Sequence, residues 1–303
     1  MSNLPPYLLI TAARNEAAFI EATIKSILVQ TAQPLKWVIV SDGSTDRTDE
    51  IVAKYAADYP WIELMQMPAR RERSFEGKAH AVNAAYASKQ SLSFQVVVIL
   101  DADISISENH FAYLLGRLME DPTLGIVGAP FQEASGETYD YRFVSIEHVS
   151  GACQVFRRKC FEDINGYIPL PVGGVDHVAV ISARMKGWKT RTFTQLACRH
   201  HRKMGTAEHG TCAGWFRTGI KDYTIGGHPL WELVRVGLQI FHRPLIVRGL
   251  ALGAGYFSAM ASRVKRPVPA DVQAFHREEQ MRRLKRLLGL TSTLRAGKLQ
   301  RST

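Results

Sequence analysis

The sequence predicts an α/β fold, a mixed sheet flanked by helices and followed by an apolar, basic helical extension. Three observations carry this expectation. Short apolar runs alternate with stretches whose apolar residues fall at helical spacing through the first half of the chain. The central run Gln95–Ser105, QVVVILDADIS, is too uniformly apolar for an amphipathic element and reads as a strand buried on both faces, closed by Asp101-Ala102-Asp103. Beyond Gly226 the composition turns to apolar helices flanked by arginine and lysine, so the chain divides into residues 1–226 and a helical extension, 227–303.

Taken in order, Tyr7–Ala12 is a first strand, and the helical spacing of Phe19, Ile20, Ile24, Ile27 and Leu28 predicts a helix from about Asn15 to Gln30 with Glu16 at its positive end. Leu35–Val40 is the second strand and runs into Ser41-Asp42-Gly43-Ser44-Thr45-Asp46, a turn made of residues that cap helices; a helix follows to about Ala57. Trp61–Gln66 reads as a third strand, followed by a charged loop at 69–73 and a helix opening at Glu76-Gly77-Lys78-Ala79. Lys78 at a helix start suits a phosphate. The aspartate pair closes the central strand. Carboxylates one residue apart on extended backbone share a face, the small Ala102 lets a ligand approach, and hard oxygen donors suit Mg²⁺ or Mn²⁺ carrying a phosphate. Ser105 and Ser107 are the expected caps of the helix marked by Phe111, Leu114, Leu115 and Leu118, and Leu124–Ala129 is a further strand.

Gly151–Arg158 reads as a strand into a turn. Gly173-Gly174-Val175-Asp176 opens a helix that stops at Gly187, and glycines before an acid leave that carboxylate accessible, as a simple cap or as a working group. Thr190–Ala197 alternates like an exposed strand and delivers Arg199-His200-His201-Arg202-Lys203.

A composition of 46% hydrophobic and 22% charged residues is that of an ordinary globular protein and excludes extended disorder. The net charge of +10 favours anionic partners. A nucleic-acid binder would interleave these cations with aromatics on one face; they gather in the tail instead, so no nucleic-acid partner is expected. Cys153, Cys160, Cys198 and Cys212 lack C-x-x-C spacing and no leader precedes Tyr7, so reduced cytoplasmic thiols are expected and a structural zinc site is not.

The series TAARNE, VSDGSTDRT, EGKAHAVN and LDADI, in this order, resembles the nucleotide-sugar half of family-2 glycosyltransferases of the GT-A fold, a Rossmann-like sheet, over roughly Tyr7–Arg202. The resemblance implies an inverting, metal-assisted transfer from a nucleoside-diphosphate sugar, a UDP-sugar first, to a hydroxyl of a glycan or lipid-linked acceptor. It assigns the base and ribose to Thr11, Ala13, Glu16 and Asp42, the diphosphate and ribose to Lys78 and Asp101, the metal to Asp103, and the general base to Asp176. A histidine completes the metal shell in related transferases, which implies His201 in preference to His200. Arg202 and Lys203 are expected to neutralise the diphosphate, and a segment at Gly205–Gly210 is expected to close over the donor. Many relatives carry Glu-Asp where this chain has Val175-Asp176, and the Gln-x-x-Arg-Trp signature of processive synthases is absent. A nucleotidyltransferase shares the layout but calls for a glycine-rich loop after the first strand, which TAARNE lacks; a sugar-binding pseudoenzyme is the other alternative.

In the extension, Leu230–Phe241 is strongly apolar and Pro244–Met260, about 17 residues interrupted by Arg248, is marginal for spanning a bilayer. With Arg243, Arg263, Lys265 and Arg266 at its flanks it suits a helix pair lying on an anionic membrane surface, peripheral to the inner face of the cytoplasmic membrane. The competing expectation is a hairpin packed on the domain or at an oligomer contact. Arg282, Arg283, Lys285 and Arg286 form a basic tail helix.

Overall fold

The computed structural model describes residues 4–68, 75–133, 145–202, 212–240 and 246–289. The charged loop at 69–73, Lys203, the 205–210 segment, Arg243 and the first residues of the 244–260 run lie outside them.

The chain runs β1 (Tyr7–Ala13), α1 (Ile20–Leu28), β2 (Lys36–Ser41), α2 (Thr48–Asp58), β3 (Ile62–Gln66), α3 (Glu76–Ser88) and β4 (Val96–Leu100). It continues through β5 (Ile104–Ser105), α4 (His110–Glu120), β6 (Leu124–Gly128), β7 (Phe131–Glu133), β8 (Cys153–Arg157), α5 (Arg158–Asp163), α6 (Val175–Met185), β9 (Lys189–Thr192) and β10 (Cys198–His200). Four helices follow: α7 (Cys212–Ile225), α8 (Pro229–Ile240), α9 (Val247–Ala261) and α10 (Ala270–Leu287).

Seven strands form one sheet in the order β3-β2-β1-β4-β8-β6-β9. β1, β2, β3 and β4 are mutually parallel, and β8 inserts antiparallel between β4 and β6. Alternation along each strand sends side chains into two cores. Leu9, Trp37, Ile39 and Val98 pack with α1, α2 and α4, while Leu8, Val38, Val40, Val97 and Ile99 pack with α3, α5 and α6. β1, β2 and β4 all end on one edge. Because β8 runs the other way, the residues entering it, Gly151 and Ala152, lie on that same edge, and Asp101 N–H donates to the Ala152 carbonyl (3.0 Å). A second sheet, β5-β10-β7, sits beside that edge and sets Cys198–His200 next to the loop after β4.

Several expected boundaries move. The first helix begins at Ile20 rather than Asn15, because Asn15 takes a positive φ of 56° and its side-chain oxygen accepts from the Thr45 N–H (2.7 Å). Glu16 therefore stands in a turn, where its own N–H donates to Thr48 Oγ1 (2.8 Å). Asn109, not Ser105 or Ser107, occupies the N-cap of α4. The expected strand at 190–197 is cut short: β9 ends at Thr192, and the next strand, β10, begins only at Cys198.

The extension is built by close helix contact. A methyl group at Gly219 of α7 would lie 2.1 Å from the Leu252 carbonyl oxygen, and one at Gly255 of α9 would lie 1.9 Å from that of Phe216. Only glycine lets these backbones approach so closely. Thus α7, which precedes the expected boundary at 226, packs on a helix beyond it. A bidentate ion pair from Arg184 of α6 to Glu279 of α10 (2.8 Å for each bond) ties the extension to the first domain. α8 and α9 still expose Leu230, Leu233, Leu238 and Leu250, each more than half accessible. Among the described residues, no helix is long and apolar enough to cross a membrane.

Gly255→Ala is expected to destabilise the protein by about 1–3 kcal/mol in urea unfolding, the usual cost of overpacking. Gly237→Ala, in a helix position with open space around it, should be neutral or stabilising by up to about 1 kcal/mol. Equal behaviour of the two variants would refute the close crossing.

Candidate active site

Four elements deliver carboxylates and cations to the sheet edge. Lys78, in the first turn of α3, forms an ion pair with Asp101 and donates to the Gly151 carbonyl (3.0 Å). Burial opposes its charge, but Asp101, Asp176 and Asp103 together hold the ammonium's pKa above its ordinary value. Burial pushes the Asp101 carboxyl up to about 6, Asp103 and Asp176 add to the push, and Lys78 resists it. The ammonium is thus the counter-charge of three acids.

Asp176 lies in the first turn of α6, whose N-cap is Gly174. A capping role for the aspartate is thereby replaced. Gly173 and Gly174 take φ of 80° and 87°, the left-handed turn that redirects the chain into α6. A methyl group at Gly151 would lie 2.6 Å from Asp176 Oδ2, so the carboxylate rests directly on this glycine. Gln154 donates to the Asp176 carbonyl (3.4 Å) and accepts from the Tyr167 hydroxyl. Val175 turns into the core, leaving Asp176 as the acid at this helix start.

Asp103 Oδ2 lies 3.2 Å from Arg202 Nε, an ion pair without hydrogen-bond geometry, and 3.5 Å from His200 Nε2. Arg202 also pairs with Glu16. The register of β10 on β5, His200 opposite Ile104, brings His200 to Asp103, whereas His201 Nε2 meets the Ser105 hydroxyl (2.9 Å) and its ring stacks near Phe19. The histidine facing the Asp103 carboxylate is therefore His200, a correction to the sequence expectation of His201. A hard carboxylate and an imidazole converging on one point, with a guanidinium standing where positive charge is wanted, fit a divalent ion such as Mn²⁺ or Mg²⁺.

Ala13, Glu16, Asp42, Lys78 and Asp176 all line one cavity of about 260 Å³. Asp42 is 3.9 Å from Arg14, and its N–H donates to the Ala13 carbonyl (2.9 Å), which joins the first two loops. Thr11 is not brought there: its side chain is fully buried and accepts from Trp37 Nε1 (3.1 Å). Ala102 is likewise turned into the core, and its carbonyl accepts from the Thr23 hydroxyl (2.8 Å).

A longer groove, about 2020 Å³, runs from Asp176 and Gly174 between α6 and the extension, past Arg184, Lys221, Trp231 and Arg282. Gly174 and Asp176 belong to both cavities. Sequence reasoning missed His148, His177 and His276, which pack against one another in the groove, tilted and edge-to-face, with ring centroids 5.5 and 5.6 Å apart. Burial lowers the pKa of His148 and His177, and it pushes His276 down to about 4, with Arg184 contributing. These imidazoles are neutral at pH 7. No local signal marks them, because they come from a loop, α6 and α10.

Residues 8–162 match the profile of Glycosyl transferase family 2. The chain belongs to that family. Among curated proteins it is 28% identical over 152 residues to the probable glycosyltransferase YdaM of Bacillus subtilis, a match covering 49% of this chain and 35% of YdaM. It is 30% identical over 120 residues to the poly-beta-1,6-N-acetyl-D-glucosamine synthase of Staphylococcus aureus, covering 39% of this chain and 26% of the synthase. The chain thus spans about a third or less of these relatives. Among solved structures it resembles the mannosyltransferase PcManGT from Pyrobaculum calidifontis, in complex with GDP-Man and Mn²⁺, with a TM-score of 0.59 and 21% identity over 96% of this chain and 82% of that one. It also resembles S. aureus TarS 1–349, with a TM-score of 0.55 and 14% identity over 89% and 83% of the two chains. These likenesses bear on the fold, which is GT-A.

Lys78→Ala is expected to cost about 1–3 kcal/mol in urea unfolding at pH 7. This is less than for a fully buried pair because Lys78 and Asp101 keep 25% and 33% exposure. Asp101 already titrates near 6 and climbs further without its cation, so at pH 5 it is protonated in both proteins and the loss should shrink. A loss as large at pH 5 as at pH 7 would contradict the counter-charge role.

Proposed function

We propose that this family-2 glycosyltransferase is an inverting enzyme that moves a hexose from a nucleoside diphosphate, a uridine diphosphate first, to a hydroxyl of a glycan or lipid-linked acceptor. The observation that carries the proposal is the position of Asp176 on the wall shared by the small cavity and the long groove. The donor occupies the small cavity with its base and ribose against Ala13, Glu16 and Asp42 and its diphosphate toward Lys78 and Arg202. The acceptor hydroxyl arrives from the groove.

Asp176 accepts the hydroxyl proton as the acceptor oxygen bonds to the anomeric carbon. The bond from that carbon to the phosphate oxygen breaks on the opposite face, its electron pair leaves with the diphosphate, and configuration inverts. Lys78 and Arg202 offset the charge that develops on the leaving group. Asp103 and His200 are the residues to hold a divalent ion, which when bound supplies further charge stabilisation to the diphosphate. The buried, neutral His148 and His177 add no positive charge of their own to the groove beside Asp176.

The groove's Lys221 and Arg282 suit an anionic acceptor, and Trp231 and Leu238 offer it an apolar wall. The exposed leucines of α8 and α9 lie in the same extension as the cations at 263–266, which supports peripheral attachment to an anionic membrane face.

Asp176→Asn should lower turnover about 10²- to 10⁴-fold while calorimetry with UDP and Mn²⁺ finds donor affinity near wild type. Near-normal turnover would remove Asp176 from the role of base, and UDP affinity indifferent to a chelator would remove Asp103 and His200 from the metal. The full chain should float with phosphatidylglycerol vesicles at low salt, each basic residue near the surface contributing about 1 kcal/mol, and be released by high salt. A protein that ignores anionic and neutral vesicles alike has no membrane attachment.

A further inference from the structure

Beneath the active edge, outside the residues assigned to catalysis, His110, Cys153 and Cys198 converge with their ligand atoms all within 4.8 Å of one another. All three are fully buried. Cys198 Sγ lies 3.5 Å from His110 Nε2, and His110 Nδ1 has no hydrogen-bond partner among the described residues. We propose that these three side chains bind a zinc ion that pins the small sheet to the main sheet under the active site.

The spacing fits. Zinc bonds of about 2.3 Å to sulfur and about 2.0–2.1 Å to nitrogen set neighbouring ligand atoms of a tetrahedral shell about 3.5–3.8 Å apart; Cys198 and His110 stand at 3.5 Å, and Cys153 lies within 4.8 Å of both, close enough for small side-chain shifts to close the shell. Charge fits as well: two thiolates and a neutral imidazole balance a divalent cation, so the bound cluster adds no net charge to the core. Two sulfurs and a nitrogen favour zinc over the hard ions suited to Asp103. The ligands come from the starts of three elements, α4, β8 and β10, far apart in sequence, which is why cysteine spacing gave no hint.

The location gives the ion a purpose. Cys153 follows Gly151 and Ala152, whose carbonyls receive Lys78 and the Asp101 N–H. Cys198 is two residues before His200 on β10. A metal joining the two cysteines fixes the distance between the edge that carries Lys78 and Asp101 and the strand that brings His200 and Arg202 to Asp103.

The full-length protein, purified without chelator, is expected to carry about one zinc per chain by elemental analysis. Refolding with Co²⁺ in place of zinc should give thiolate-to-cobalt charge-transfer bands in the near ultraviolet. These bands should persist in Asp103→Asn, which separates this site from the donor-side ion, and vanish in the Cys153→Ser, Cys198→Ser double variant. Wild-type protein that holds no zinc and gives no cobalt bands after refolding overturns the proposal without recourse to any variant. Bands that survive the double serine variant, or that disappear with Asp103→Asn, overturn it too. None of these readouts depends on transferase activity.

Discussion

The site rests on one cation. Asp101, Asp103 and Asp176 come from two stretches of chain, and in a partly buried setting Asp103 and Asp176 both raise the cost of ionising Asp101. Lys78 is placed among them by the first turn of α3 and held by the Gly151 carbonyl, and its charge makes the cluster tolerable. The sheet topology exists in the same relation to it. Only an antiparallel β8 brings Gly151 to the edge where β1, β2 and β4 end, and only a glycine there leaves room for the Asp176 carboxylate. Fold and electrostatics meet at that residue.

Much of this was legible in the sequence. The buried run Val96–Leu100 with its trailing aspartates, the helix start at Lys78 and the glycines before Asp176 all report local chemistry, and local chemistry is what periodicity and turn residues encode. The choice between His200 and His201 was not legible, because a one-residue change of register reverses which side chain faces Asp103, and that register is set by pairing with a two-residue strand far upstream. Thr11 was misjudged for a related reason. It belongs to a strand whose alternation sends its hydroxyl to Trp37 instead of to the cavity.

The histidines along the groove and the thiols beneath the edge escaped detection because their partners come from separate elements and leave no periodic trace. The helical boundary escaped for another reason. The composition changes after Gly226, but the close approach of Gly219 and Gly255 makes α7 part of the helical layer. Composition reports what a segment is made of; packing is decided by where small residues let two backbones meet.

The Arg184–Glu279 pair gives the extension a mechanical meaning. Arg184 sits two turns along the helix whose first turn carries Asp176, and its planar fork binds Glu279 in a geometry that resists both sliding and rotation. A rigid helix acts as a lever, and this one has the tail clamped to one end and the acid at the other. A tilt of α10 against α6 has to break this pair or carry the helix of Asp176 with it, so at this contact the tail and the wall between the two cavities form one mechanical unit.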